Sequence, residues 1–153
     1  MEVVSVSTPE QIAQIRVLLE EYWHSFGFTP CFQNFASELA RLPGYYAPPD
    51  GRLALALLNG EPVGSIALRR LDAARAEAKR LYVRPGFRGQ GTGRALLEWV
   101  IAEARRAGYC EMLGDTMPAM STALSMYDRL GFERTTPYTP DATPGAIYVR
   151  LRL

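Results

Sequence analysis

The sequence predicts a single α+β domain spanning residues 1–153. Three observations carry this. An Asn59-Gly60 pair stands between two apolar runs, the signal of a β-hairpin. Segments of helical and of strand-like periodicity follow one another along the chain. No repeat, low-complexity tract or linker divides it. With 48% apolar and 22% charged residues, the composition is that of a globular protein large enough to bury a core.

The elements follow in order. Val3, Val4 and Val6 suggest an opening strand. Thr8-Pro9-Glu10-Gln11 supplies an N-cap, a proline in the first turn and an acid beside it. Ile12, Ile15, Leu18, Leu19, Tyr22 and Trp23 recur at helical spacing, so a helix is expected to about Phe26, where Gly27 and Pro30 break it. Phe32 to Leu42 reads as a weaker helix, followed by a loop through Pro43-Gly44 and Pro48-Pro49-Asp50-Gly51. Arg52 to Leu58 and Val63 to Arg70 form the hairpin, and Arg75 to Val83 the next strand, stopped by Pro85-Gly86. A helix from Arg94 to Ala107 presents Leu97, Val100, Ile101 and Ala104 on one face and closes at Gly108. Cys110 to Asp115 reads as a strand and Met120 to Leu130 as a helix closed by Gly131. Phe132 to Thr136 and Ala146 to Leu153 are the final strands.

Composition excludes several classes. Seventeen basic and 16 acidic side chains nearly cancel, which argues against nucleic-acid binding through bulk charge. Arg69, Arg70, Arg75, Lys79, Arg80, Arg84, Arg88 and Arg94 still make mid-chain locally basic, a patch suited to a phosphorylated cofactor. Cys31 and Cys110 have neither metal nor CxxC spacing, so no metal site is expected and a reducing compartment fits. With no signal-peptide pattern and no apolar run long enough for a bilayer, the expected location is cytoplasmic, without a membrane.

Arg88-Gly89-Gln90-Gly91-Thr92-Gly93, between a strand and a helix, is the most informative run. Glycines let backbone N–H groups approach a ligand, and a helix start adds its positive dipole end, so the run predicts an anion cradle. A dinucleotide fingerprint fails because its third glycine position holds Leu96. A phosphate loop fails because Thr92 stands at the lysine position.

The stretch Lys79-Arg80-Leu81-Tyr82-Val83-Arg84-Pro85, followed by Arg88 to Gly93, resembles the acetyl-CoA-binding motif [RQ]-x-x-G-x-[GA] of GNAT-type N-acetyltransferases. Ala123-Leu124-Ser125-Met126-Tyr127-Asp128-Arg129-Leu130-Gly131-Phe132 is similar to the family's second hallmark, A-x-x-(L/M)-Y-x-x-x-G-F. The resemblance implies a GNAT-like acyl-CoA N-acyltransferase fold, with a central mixed, mostly antiparallel sheet flanked by helices. It further implies transfer of acetyl from acetyl-CoA to an amine by direct attack in a ternary complex. The acceptor is a small molecule or a protein, and a homodimer is compatible with the chain. A non-catalytic acyl-CoA-binding sensor or interaction module is the alternative.

The resemblance places the pyrophosphate on the backbone of Arg88, Gly89, Gln90, Gly91, Thr92 and Gly93, with charge from Arg88 and Arg94. It pairs the pantetheine arm with the backbone of Leu81, Tyr82 and Val83. Tyr127 takes the role of the acid that protonates the departing thiolate, although periodicity alone reads it as part of the apolar face of Met120, Ala123, Leu124 and Leu130. Glu77, ranked first, and Asp115 are the candidate general bases; an exposed strand carboxylate, or an ion pair to Arg75 or Lys79, is the competing role. Relatives often carry an asparagine seven residues before the tyrosine; Met120 stands here, with Ser121 as the substitute candidate. Sole His24 reads as a packed or half-exposed residue rather than a catalyst. Tyr22, Trp23, Phe28, Phe32, Tyr45 and Tyr46, and the Pro137-Tyr138-Thr139-Pro140 loop, are candidates for the acceptor side.

Overall fold

A computed structural model describes residues 1–25, 35–118, 121–139 and 144–153. The helix end expected at Phe26 with its breakers Gly27 and Pro30, the start of the second helix at Phe32, and Phe28, Cys31, Met120 and Pro140 lie outside the described residues.

The described residues form a seven-stranded sheet in the order β1-β2-β3-β4-β5-β7-β6. The strands are β1 (Glu2–Ser5), β2 (Arg52–Leu58), β3 (Glu61–Arg70), β4 (Arg75–Val83), β5 (Glu111–Thr116), β6 (Glu133–Thr135) and β7 (Ile147–Arg152). Every ladder is antiparallel except β4–β5, so the sheet is mixed and mostly antiparallel, as expected. The helices are α1 (Pro9–Ser25), α2 (Phe35–Ala40), α3 (Thr92–Arg106) and α4 (Ser121–Arg129).

Local chemistry accounts for the element ends. Thr8 and Gln11 form a reciprocal capping box at the start of α1: the Gln11 N–H donates to Thr8 Oγ1 at 3.1 Å, and the Thr8 N–H to Gln11 Oε1 at 3.1 Å. Asn59 (φ 52°) and Gly60 (φ 81°) make the two-residue hairpin turn, a geometry that asparagine and glycine tolerate. Gly108, at φ 90°, ends α3 in the left-handed region.

Helices cover both faces, which is why β2 and β3 read as nearly continuous apolar runs. Against one face, Leu96, Leu97, Val100, Ile101 and Ala104 of α3 pack on Ala54, Ile66, Leu68, Ala76 and Ala78. Against the other, Ile15, Leu18, Leu19 and Trp23 of α1, with Phe35 and Tyr46, pack on Leu53, Leu55, Ala67 and Tyr82.

Two irregularities shape the site. The β3–β4 register slips between Ser65↔Tyr82 and Ala67↔Lys79, leaving Arg80 in a bulge at φ 60°, and the Ser65 hydroxyl donates to the Arg80 carbonyl at 3.0 Å. The parallel β4–β5 ladder runs only from Arg75↔Glu111 to Glu77↔Leu113. Beyond Glu77 the two strands part.

Candidate active site

The cleft lies where β4 and β5 separate, and it passes through the plane of the sheet. Tyr22, Ala78, Lys79, Arg80, Leu81, Asp115, Thr116, Ala123 and Tyr127 line a space of about 380 Å³, part of it open to solvent. A side chain enters from each face. Ala76 and Ala78 belong to the α3-side core, so alternation along β4 turns Glu77 and Lys79 to the α1 side. A Cβ built on Gly114 would lie 3.6 Å from the Tyr127 hydroxyl, so Tyr127 reaches the parting of the strands from α4 while Asp115, one residue on, faces the α1 side.

Tyr127 is buried, and its ring sits edge-on to Phe132 with centroids 4.9 Å apart. Desolvation, and then the charge of Asp115, push its hydroxyl well above the usual tyrosine range, so it keeps its proton at neutral pH. Tyr127 packs in the α3-side core and also lines the cleft.

The two carboxylates have different surroundings. Glu77 is 2% exposed, and both its oxygens are engaged: Arg69 Nε donates to Oε1 at 2.6 Å and the Tyr138 hydroxyl to Oε2 at 2.5 Å. Lys79 Nζ stands 3.8 Å from Oε1. Glu77 therefore meets the cleft as the hydrogen-bonded partner of a guanidinium and a hydroxyl, whereas Asp115 lines it directly. The ion-pair partners are Arg69 and Lys79; Arg75 pairs with Asp72 instead, at 2.7 Å. Asp115 lines the cleft, and burial, only partly offset by Lys79, raises its carboxyl above the usual aspartate range.

The glycine run is built for close approach. Gly89 and Gly91 have φ of 78° and 84°, and Gly91 is the N-cap of α3 with no side chain capping the helix. The helix begins at Thr92 rather than Arg94, so Thr92 and Gly93 sit in its first turn, Thr92 buried. A Cβ at Gly93 would approach Met126 Cε to 3.2 Å, so glycine there lets α3 and α4 come close. Gln90 is exposed.

Much of the expected basic patch is engaged within the protein. Arg80 pairs with Glu38 (2.9 Å), Arg84 with Glu21 (2.7 Å), Arg70 with Asp50 (3.8 Å) and Arg94 with Glu98 (2.7 Å). Arg88 turns back on β4: its Nε donates to the Val83 carbonyl at 2.8 Å, and its guanidinium lies 5.9 Å from the Tyr82 ring centroid. The Tyr82 side chain points to the α1 face, where its hydroxyl donates to Glu21 at 3.2 Å; Leu81 lines the cleft. Past Glu77, among the described residues, no strand pairs with the edge of β4 that paired with β5.

On the acceptor side, Trp23 and Tyr46 are buried in the core, Tyr45 is 74% exposed, and Tyr22 lines the cleft. His24 is exposed at the end of α1. Tyr138 is committed to Glu77 and meets Tyr148 edge-on at 5.4 Å. The sequence reading did not single out Lys79 as a site residue. Its spacing from Glu77 on one strand is the signal that could have, since alternate residues share a face.

The profile of the acetyltransferase (GNAT) family matches residues 13–132. The chain belongs to this family. It is 32% identical over 155 residues to an uncharacterized N-acetyltransferase of Schizosaccharomyces pombe, an alignment covering 100% of this chain and 95% of that one. It is 30% identical over 138 residues to the IAA acetyltransferase of Azospirillum brasilense, covering 90% and 88% of the two chains. Among solved structures, an acetyltransferase of Streptococcus agalactiae superposes with TM-score 0.82 at 24% identity over 99% of this chain and 98% of that one. A Salmonella typhimurium acetyltransferase solved with its cofactor acetyl-CoA superposes with TM-score 0.74 at 21% identity, covering 99% and 93%. The protein is thus a GNAT acyltransferase, and its fold is that of the family. Among the described residues no cluster of metal ligands occurs, and no helix is long and apolar enough to cross a membrane.

Proposed function

We propose that this GNAT protein transfers acetyl from acetyl-CoA to a primary amine by direct attack, with both substrates bound together. The observation that carries the reading is the opening of β4 from β5 after Glu77, with the Tyr127 hydroxyl reaching it from one face and Asp115 from the other. Bound acetyl-CoA supplies an activated acyl group with a thiolate leaving group. The chain supplies a place for it: backbone N–H groups at Gly89–Gly93, the uncapped start of α3, and the free edge of β4 through Leu81, Tyr82 and Val83. Arg88 and Arg94 contribute through position more than charge, since each is engaged within the protein.

Asp115 takes the amine's proton, directly or through water, and its raised carboxyl range brings it nearer to the working pH of a general base. Tyr127, held protonated, gives a proton to the departing sulfur. Glu77 positions Lys79, Arg69 and Tyr138 around the acceptor side of the cleft.

Thermal shift with acetyl-CoA, NADH and ATP tests the donor, because a ligand bound only by the folded state raises the melting temperature. Acetyl-CoA alone is expected to raise it, and acyl transfer is read as free thiol released on adding an amine. A stabilisation by NADH or ATP but not by acetyl-CoA would defeat the proposal.

A further inference from the structure

The cleft carries one charge of each sign: Lys79, whose ion pair to Glu77 is a long one, and Asp115. Around Glu77 the pairing is nearly complete: Arg69 at 2.6 Å neutralises it and Tyr138 occupies its second oxygen. Lys79 is therefore left with a contact of 3.8 Å to an oxygen already taken by Arg69. Asp115, across the parted strands, forms no ion pair within 4 Å with a described residue, though Lys79 and Asp115 feel each other's charge. The Lys79 side chain is largely buried, Asp115 is half-buried, and both line the cleft beside Tyr127. Burial disfavours each charge, pulling the Lys79 ammonium below its usual range and pushing the Asp115 carboxyl above its own. Water serves such a pair poorly, whereas a ligand with complementary charges compensates both.

A dipolar ligand meets that description. We propose that the acceptor is a free amino acid, with its amine beside Asp115 and Tyr127 and its carboxylate on Lys79. Lys79 is then the specificity-determining residue of the acceptor site. The assignment rests on the N-acetyltransferase reading and narrows it, since the amino terminus of a peptide and the side-chain amine of a protein lysine carry no carboxylate at that separation. Tyr22 lines the same space and offers an aromatic wall to the acceptor's side chain.

The test compares the common L-amino acids with their primary amides, which keep the amine and side chain but lose the charge and mimic a peptide N-terminus. Binding is measured by calorimetry with CoA present, and turnover by thiol release with acetyl-CoA. At least one amino acid is expected to exceed its amide by about tenfold or more in affinity and in kcat/KM, the size of a lost charge-assisted hydrogen bond. Lys79→Met should erase that ratio by raising KM for the acid form only, and Lys79→Arg should restore part of it. Should the methionine variant fail to fold, the acid-to-amide ratio of the unmodified protein decides alone. Amides bound and used as well as acids, or neither series bound, overturns the proposal. Transfer to other amines under those conditions would leave the N-acetyltransferase reading standing, whereas absence of acetyl-CoA binding would defeat that reading separately.

Discussion

Arg80 holds Glu38 through two hydrogen bonds of 2.9 Å each, and this contact ties the bulge of β4 to α2. The guanidinium also lies 5.8 Å from the Trp23 ring centroid and 5.6 Å from that of Phe35, so α1 and α2 meet at one buried cation. Removing one partner leaves an uncompensated charge, and Glu38→Ala is expected to cost about 3 kcal/mol in chemical denaturation. Burial raises the Glu38 carboxyl, but the hydrogen bonds and charge of Arg80 outweigh it and set it below its ordinary 4.5. A depressed carboxylate stabilises the fold above its unfolded value and loses that contribution as pH falls through the folded one. Wild-type stability should thus decline below about pH 4.5 more steeply than that of the alanine variant.

Tyr127→Phe removes the proton donor and keeps the ring against Phe132. The expected result is a fall in kcat of about a hundredfold with acetyl-CoA affinity retained. An unchanged kcat would remove Tyr127 from the chemistry. The raised hydroxyl range also predicts no loss of activity from its deprotonation as pH rises through neutrality.

Asp115→Asn should make the protein more stable and less active. The folded carboxyl lies above its unfolded value, so the two states differ least when both are protonated, and the ionised form costs folding free energy at neutral pH. Removing the charge recovers that cost, giving a higher melting temperature at pH 7 than at acid pH relative to wild type. The acid limb of kcat/KM against pH should sit above the normal aspartate range and vanish in the variant. If Glu77→Gln and not Asp115→Asn removed that limb, the base would be Glu77.

Gly91→Ala tests the cradle. At φ 84° a Cβ costs about 1 kcal/mol through backbone strain alone, since nothing lies within 4 Å of the added atom. Acetyl-CoA affinity is expected to fall more than stability does, measured by calorimetry beside denaturation.

Much of the fold was legible in the sequence, because turns and helix ends answer to near neighbours in the chain. The Asn59-Gly60 hairpin, the N-cap at Thr8, the α3 face and the Gly108 stop all follow from residues within a few positions of one another. The glycine run and the Tyr127–Phe132 segment did so too, and together they named the family.

Charge pairing was not legible in this way. Eight basic side chains along one stretch look alike until strand register and helix docking assign their partners. Glu77 meets Arg69 across the β3–β4 ladder and Tyr138 from a loop 61 positions away, while Glu38 reaches Arg80 across 42. By itself the sequence determined the family and the kind of fold, because the motifs that name them reside in local backbone chemistry. Only the tertiary structure decided that Glu77 is held by Arg69 and Tyr138 while Asp115 and Lys79 line the cleft, because that depends on which distant groups the fold brings beside each charge.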